Sequence, residues 1–187
     1  GVALMKISST ALKAKRSCAS GYRWFARRFK SPAEYQSVID ALVADGRVDD
    51  ACWLLDQFGP IKSVLVVDAI SAQAFVYAGS VEVRGEVDVD AVLRTGGSLR
   101  AGGSIRAGST VWIGNDLQAG AGLRTLGPLR TGGDLVSSWS VEVHGALTCG
   151  GDLRVRGALA CGEALRGEGS TFVGEDLEVN GMIHCAK

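Results

Sequence analysis

The stretch LRTGGSLRAGGSIRAGSTVWIGNDLQAG, residues 93–120, repeats itself every six residues. An aliphatic residue opens each hexad, a small or β-branched residue follows two places later, and glycine fills most of the remainder. Stepping by six from Val81 to Ile183 gives eighteen positions, and seventeen of them are aliphatic, with Thr171 the exception. Because residues i and i+2 share one face of a strand, each hexad predicts a three-residue strand whose first and third side chains point inward.

A parallel β-solenoid is the fold that this period favours. A six-residue step turns an α-helix by about 600°, so the aliphatic residues would spiral around a helix instead of forming a stripe. Separate antiparallel hairpins are excluded because three-residue strands bury too little to hold them. We therefore predict a mainly β protein, a three-faced parallel β-helix with about 18 residues per coil. It occupies residues 63–187 in about six to seven coils, and the first coil, residues 63–79, is irregular and bulkier.

Residues 1–62 are of a different type, since they contain only four of the 26 glycines. Ser31, Pro32 and Glu34 form a capping-box pattern that predicts a helix beginning there. Asp49–Phe58 predicts a second helix, and residues 8–29 add one or two more. The sequence therefore predicts a small N-terminal α-helical domain over residues 1–62, and we expect it to cover the exposed backbone edge of the first coil. Residues 1–4 are expected to be a cloning remnant, with the natural start at Met5.

The formal net charge is zero, but the charges are unevenly placed. Residues 1–30 carry eight Lys/Arg and no Asp/Glu, so residues 31–187 carry twelve basic and twenty acidic residues; the front is +8 and the remainder −8. A balanced total argues against a dedicated nucleic-acid-binding protein. The basic segment Lys6–Lys30 suits an anionic membrane or nucleic acid, but a solvated helix surface is the favoured interpretation.

The cysteine content and the hydropathy indicate the cellular compartment of the protein. Five cysteines, with no CxxC pair and no secretory signal, favour free thiols in a reducing compartment, and we expect a cytoplasmic protein. No apolar run approaches the roughly 18 residues that a membrane-spanning helix needs.

Catalytic residues, cofactors and metals are not expected. His144 falls at a turn and His184 near the terminus, and both are interpreted as surface residues. Cys149 and Cys185 share a column two coils apart, which at about 10 Å is too far for a disulfide or a shared zinc ion. Hexapeptide-repeat acyltransferases resemble the chain in repeat length, but they carry an extended loop and a catalytic histidine among the coils, and here the hexads run without insertion.

Two surfaces are candidates for binding. The outward positions of the third face include Arg94, Trp112, Arg130 and Arg166, a mostly basic column, and Trp139 adds a second exposed Trp; these five residues are possible partner contacts. The last coil is the other surface. After Ile183 no Pro, helix or loop follows to cover it, so the expected self-association residues are Leu177, Val179, Met182 and Ile183.

The segments SVEVRGEVDV (80–89), SLRAGGSIRAG (98–108), SVEVHGALTCGGDLRVRGALACG (140–162) and DLEVNGMI (176–183) resemble the bactofilins, a polymer-forming bacterial cytoskeletal family. The resemblance covers residues 64–185 and implies a three-faced β-helix that joins end to end into nucleotide-free filaments. The chain departs from that family in its helical front, where bactofilins have short flexible tails.

The expected function is therefore that of a non-enzymatic scaffold that self-associates through its β-helix. The first alternative is a protein-binding module in which the helical domain or the Trp112 face recognises an unidentified partner. The second alternative is a hexapeptide-repeat-type acyltransferase.

Overall fold

The chain forms a helical module followed by a β-solenoid in the computed structural model, which describes residues 4–186. Residues 1–3 of the expected cloning remnant lie outside the described range. The helical module contains helices α1 (Ser9–Ala14), α2 (Ala19–Arg28), α3 (Tyr35–Ala44) and α4 (Val48–Phe58). Two short strands, β1 (Lys6–Ile7) and β2 (Ala33–Glu34), pair antiparallel within the module.

Twenty-one short strands build the solenoid. They are β3 (Val64–Val67), β4 (Ile70–Ala72), β5 (Phe75–Tyr77), β6 (Ser80–Val83), β7 (Val87–Val89), β8 (Leu93–Thr95), β9 (Leu99–Ala101), β10 (Ile105–Ala107), β11 (Val111–Ile113), β12 (Leu117–Ala119), β13 (Leu123–Thr125), β14 (Leu129–Thr131), β15 (Leu135–Ser137), β16 (Val141–Val143), β17 (Leu147–Cys149), β18 (Leu153–Val155), β19 (Leu159–Cys161), β20 (Leu165–Gly167), β21 (Thr171–Val173), β22 (Leu177–Val179) and β23 (Ile183–Cys185). Every third strand joins the same sheet, which gives three parallel seven-stranded sheets and seven coils. The predicted three-faced parallel β-helix with a helical front is confirmed.

The register of the coils places the aliphatic residues in one dry interior. Leu99, Leu117 and Leu135 stack directly on one another in three successive coils, and all three are buried. The hexad pattern therefore marks the inward positions of the solenoid, as the sequence predicts.

The first coil is shorter than the coils that follow it. Val81 pairs with Leu65, where the register of the later coils would place Ser63. The second face falls short by less, with Val87 paired to Ile70, and the third face follows the regular register. These shortened corners explain why the hexad pattern loses phase before the third strand of this coil.

Threonine hydroxyl groups inside the solenoid form hydrogen bonds with backbone carbonyl groups at the corners. Thr95, Thr125 and Thr131 are buried, and each hydroxyl donates to the carbonyl two residues later, over 2.7–3.0 Å. A buried hydroxyl without such a partner would destabilise the core. The β-branched threonine therefore fits the second inward position of a hexad both by shape and by hydrogen bonding.

A ladder of side-chain acceptors runs along one corner, and it was not anticipated from the sequence. Side chains in one coil accept from the backbone amide of the equivalent residue in the next coil; the acceptors are Ser80, Ser98, Asp116, Asp134 and Asp152. The signal was present, because Ser or Asp recurs at every eighteenth position from Ser80 to Ser170.

Helix α3 begins later than the capping-box pattern predicts. The predicted start at Ser31 and Pro32 is wrong, because residues 33–34 pair with β1 as strand β2. Glu34 is itself the N-cap, and its carboxylate accepts the amides of Gln36 at 3.0 Å and Ser37 at 2.6 Å. Burial alone would raise the pKa of Glu34. The hydrogen bond from the Ser37 hydroxyl, together with those from the two amides, outweighs burial and leaves the pKa below its ordinary value.

Glycine occupies one corner of the solenoid in four successive coils. Gly96, Gly114, Gly132 and Gly150 stack there, and a Cβ added to Gly132 would lie 2.1 Å from the carbonyl oxygen of Gly114. We expect Gly132→Ala to lower the free energy of unfolding by about 1–3 kcal/mol, as overpacking does in other cores. Urea unfolding followed by circular dichroism measures it. Ser138→Ala is the matched control, since residue 138 follows its strand in the same way and already carries a side chain. Equal losses in the two variants would contradict the steric argument.

Candidate functional site

The helical module closes the open edge of strand β5. The Gln36 carboxamide meets two backbone groups of the first coil, donating to the Val76 carbonyl at 3.1 Å and accepting from the Ala78 amide at 2.8 Å. The amide of Ile61 donates to the Ala78 carbonyl at 3.0 Å. A side chain and a loop thus replace the next strand of the third sheet.

The other two faces of the first coil are not closed in this way. Strands β3 and β4 are the outermost strands of their sheets in the part of the chain that the structure describes. Val64 and Val66 on β3 are about half exposed. The expected cover of the first coil is therefore present on the third face and incomplete on the first two.

Arg94 is not a surface residue, and its assignment as a partner contact needs correction. Only 7% of Arg94 is exposed, because the helical module lies over it. Its guanidinium forms an ion pair with the Asp56 carboxylate and donates to the Cys52 carbonyl at 3.2 Å. Arg94 therefore joins α4 to the solenoid and is not accessible to an external partner.

Trp112 is held between two arginines of the same column. The register stacks Arg94, Trp112 and Arg130 in three successive coils. The Trp112 ring centroid lies 3.9 Å from the Arg94 Cζ and 4.7 Å from the Arg130 Cζ, which is the geometry of cation–π contacts. Trp112 is half-buried, so one part of the predicted contact surface is already used within the molecule.

The other three predicted contact residues are exposed, but they do not form one surface. Arg130 and Arg166 lie on the third face, and Arg166 forms an ion pair with Glu168 at 2.7 Å. The hydrogen bond from Arg166 holds the pKa of Glu168 below its ordinary value. Trp139 is 65% exposed, but it lies at a corner between β15 and β16 and not on the Trp112 face.

The seventh coil presents the interior of the solenoid to solvent. Leu177 and Ile183 stand directly on the buried Leu159 and Leu165, in the inward positions of the hexad. They are nevertheless 45% and 53% exposed, since no further coil covers them among residues 4–186. Val179 is half-buried beside them, and Met182, at the preceding corner, is 84% exposed. All four expected self-association residues thus belong to the seventh coil, and Leu177, Val179 and Ile183 form its open inward positions.

The two histidines are on the surface and the structure does not bring them into a common buried site. The His144 Nε2 lies 2.9 Å from the Glu142 carboxylate, and both side chains are about half exposed. They border a shallow depression of about 280 Å³ that Glu178 and Asn180 also line. His184 is exposed on the last coil. The acyltransferase alternative stays a prediction, and of the two histidines it is His144 that lies in a depression with polar neighbours.

The cysteines are free thiols in the described residues. Cys149 and Cys161 are buried in the solenoid, and burial raises the pKa of the Cys161 thiol to about 11. Cys149 and Cys185 are separated by Gly167 in their column, two coils apart. In residues 4–186 no cluster of three or more His, Cys, Asp or Glu side chains could hold a metal ion. No helix within the same residues has the length and apolar composition needed to cross a bilayer.

Comparison with known proteins bears on the helical module alone. Residues 5–58 match the family model described as the YdhT N-terminal domain, and the match ends at the last residue of α4. No curated protein and no solved structure matches the chain.

Proposed function

We propose that this protein is a non-enzymatic scaffold that self-associates through the end face of its seventh coil. The observation that carries the proposal is the exposure of inward-facing residues, Leu177 and Ile183, on columns that are dry in the coils below them. Monomeric proteins seldom leave a contiguous apolar surface of this kind uncovered, and it usually marks a contact. The resemblance to bactofilins supports an end-to-end contact between β-helices.

The backbone of the same coil supports the proposal. Strands β21, β22 and β23 are the last strands of their sheets, so each is paired on one side only within the described residues. Edge strands without a cover pair readily with another chain. A second copy would satisfy these groups and bury Leu177, Val179 and Ile183 in one step.

The two ends of the solenoid are not equivalent, and this favours contact between two seventh coils. The first coil offers only β3 and β4, because Gln36 and Ile61 occupy the edge of β5. Within residues 4–186, the seventh coil offers three strands that are paired on one side only. In a tail-to-tail pair, in which two seventh coils meet, three open strands face three. In a head-to-tail stack, in which a seventh coil meets a first coil, one strand of every seventh coil would stay unpaired. We therefore propose a closed two-fold dimer, which is the commonest symmetry of homo-oligomers.

Charge separates the two arrangements experimentally. Glu175, Asp176 and Glu178 are exposed on the seventh coil, so two such ends repel each other. Salt screens this repulsion, and a tail-to-tail dimer strengthens as ionic strength rises. A head-to-tail contact would bring the acidic end toward the basic helical module and would weaken with salt.

The test is sedimentation of the full chain over a range of concentrations. We expect a dimer as the largest species, and we expect Ile183→Lys to weaken dimerisation by about 100-fold or more, because each dimer would bury two unpaired ammonium groups. Leu126→Lys is the matched control, since Leu126 is 47% exposed but lies at a corner away from the end. A wild-type protein that stays monomeric at every concentration overturns the proposal. Open-ended polymers that dissolve in salt overturn the tail-to-tail arrangement.

A protein-binding module is the second candidate, and exposed Trp139 favours it. An indole that is 65% exposed on a rigid corner is typical of residues that anchor protein contacts. The exposed part of the Trp112 face, Arg130 and Arg166, offers a separate basic surface on the solenoid. This function would be preferred if the chain were monomeric and a partner were lost on Trp139→Ala.

The cytoplasm is the compartment that we propose, on the basis of five free cysteines, two of them buried in the solenoid core.

A further inference from the structure

The helical module contains an apolar cleft that self-association does not use. It has a volume of about 320 Å³ and opens between the α1–α2 and α3–α4 pairs. Its walls are apolar and aromatic, formed by Leu12, Trp24, Phe25, Val38, Leu42 and Trp53. Trp24 and Trp53 are half-buried, so the cleft is accessible from solvent. Clefts of this size and composition, with a few polar groups at the rim, are typical of small-ligand sites.

Two residues that line the cleft, Arg16 and Gly21, are not the residue types that their backbone conformations favour. Arg16 follows the end of α1 with φ of 58°, a left-handed conformation that favours glycine. The Arg16 amide donates to the Lys13 carbonyl and the Ser17 amide donates to the Leu12 carbonyl, the pattern of a helix end that normally carries glycine. Gly21, by contrast, lies in the first turn of α2, although alanine has a higher helix propensity than glycine.

Both residues contribute to the cleft: Gly21 leaves space in it, and Arg16 adds a positive charge at its rim. The nearest atom to a Cβ added at Gly21 would be the Cys18 Sγ at 3.3 Å, so a larger side chain would enter the cleft. Glycine at position 21 keeps the space open. Arg16 places an exposed guanidinium at the rim. Departures from local preference that converge on one cleft are expected at functional sites.

The polar part of the rim has positive groups at Arg16 and the N-terminus of α2, whereas the Asp45 carboxylate lies beside Trp24 and accepts its indole N–H at 2.7 Å. Cys18 caps the N-terminus of α2, and no acidic residue lies in the first turn of that helix. The helix N-terminus and Arg16 therefore both favour an anion. Asp50 is the one acidic residue among the described residues of the lining, and its charge is balanced by Arg47 at 2.6 Å.

We propose that this cleft binds a small apolar carboxylate, with its alkyl chain or ring between Trp24 and Trp53 and its carboxylate at Arg16 and the α2 N-terminus. The volume suits one short chain. At the end of the cleft formed by Arg16 and the α2 N-terminus, an anionic headgroup is favoured over a cationic or neutral one. The site is independent of the seventh coil, so it holds whether or not the chain dimerises.

The test is a titration of the full chain with decanoate, below its micelle concentration, followed through the four indole N–H resonances. We expect saturable shifts of Trp24 and Trp53, while Trp112 and Trp139 serve as internal controls. Decanol, which has the same chain without the charge, is expected to bind about tenfold more weakly. Absence of shifts with decanoate, or equal affinity for decanol, overturns the proposal.

Two variants test the rim residues. Arg16→Gly is expected to fold at least as well as the wild type and to weaken decanoate about tenfold, and Arg27→Ala, on the exposed part of α2, is the control that leaves binding unchanged. Gly21→Leu is expected to abolish binding, with circular dichroism confirming that the module folds. Unchanged affinity in Arg16→Gly overturns the assignment of the carboxylate.

The same resonances distinguish a free carboxylate from a membrane lipid. Vesicles that contain phosphatidylglycerol present acyl chains and negative charge in a bilayer. If such vesicles shift Trp24 and Trp53 whereas free decanoate does not, the ligand is a lipid surface and the proposal of a free carboxylate is overturned.

Discussion

Asp56→Ala is expected to lower the free energy of unfolding by about 3 kcal/mol, although Asp56 itself is 42% exposed. The reason is its partner. Arg94 is buried between α4, Trp112 and the third face, and removal of Asp56 leaves its charge without a counterion. The Arg94 Nε has no hydrogen-bond partner in the described structure, so after the substitution only two uncharged groups, the Cys52 carbonyl and the Trp112 ring, would remain beside the guanidinium.

Arg94→Met is the matched variant and is expected to cost less, about 1 kcal/mol. Methionine fills a similar volume, and the Asp56 carboxylate it leaves behind can be solvated. Chemical denaturation of both variants measures the difference, and hydrogen exchange of α4 shows whether the helical module detaches before the solenoid unfolds. A larger loss for Arg94→Met than for Asp56→Ala would mean that the ion pair does not control this interface.

Leu159→Ala and Leu177→Ala form the second comparison, since the two leucines pair directly in adjacent coils. Leu159 is fully buried, so its truncation removes packing and leaves a cavity; we expect a loss of about 3 kcal/mol. Leu177 is half exposed, so its truncation is expected to cost less than about 1 kcal/mol in dilute protein.

The proposed dimer makes the cost of Leu177→Ala depend on concentration. If a second copy covers the seventh coil, the dimer stabilises the folded state by mass action, and Leu177→Ala lowers that contribution. The melting temperature of the wild type should then rise with concentration, and the variant should follow it less steeply. Leu159→Ala should lose the same amount at every concentration. Parallel behaviour of all three proteins would argue against a contact at Leu177.

The architecture of the solenoid could be predicted from the residues because its period is local. A hexad places an aliphatic side chain inward whatever lies elsewhere in the chain, so Leu99, Leu117 and Leu135 could be assigned to one column. The irregular first coil was equally visible as a loss of phase before Phe75. The inward column to which Leu177 belongs followed from the same period, and the structure adds that its side chain is half exposed.

The helical module was predictable in type but not in detail. Apolar spacing indicated helices, but the start of α3 depends on pairing between residues 33–34 and 6–7, which α1 and α2 separate along the chain. A local capping signal could not compete with that pairing. The cleft between the α1–α2 and α3–α4 pairs also depends on how the helices pack, and Arg16 and Gly21 become informative only when both are seen to line it.

What the amino-acid order determined by itself was the inside and the outside of each coil, because strand alternation converts sequence position directly into direction. Only the tertiary structure decided which outward residues remain on the surface. Arg94 and Arg130 occupy the same outward column, and the sequence pattern does not distinguish their exposure. The helical module nevertheless buries Arg94 and leaves Arg130 exposed. The physical reason is that Arg94 contacts Asp56 across a long separation in sequence, and no local pattern encodes where a separate module comes to rest.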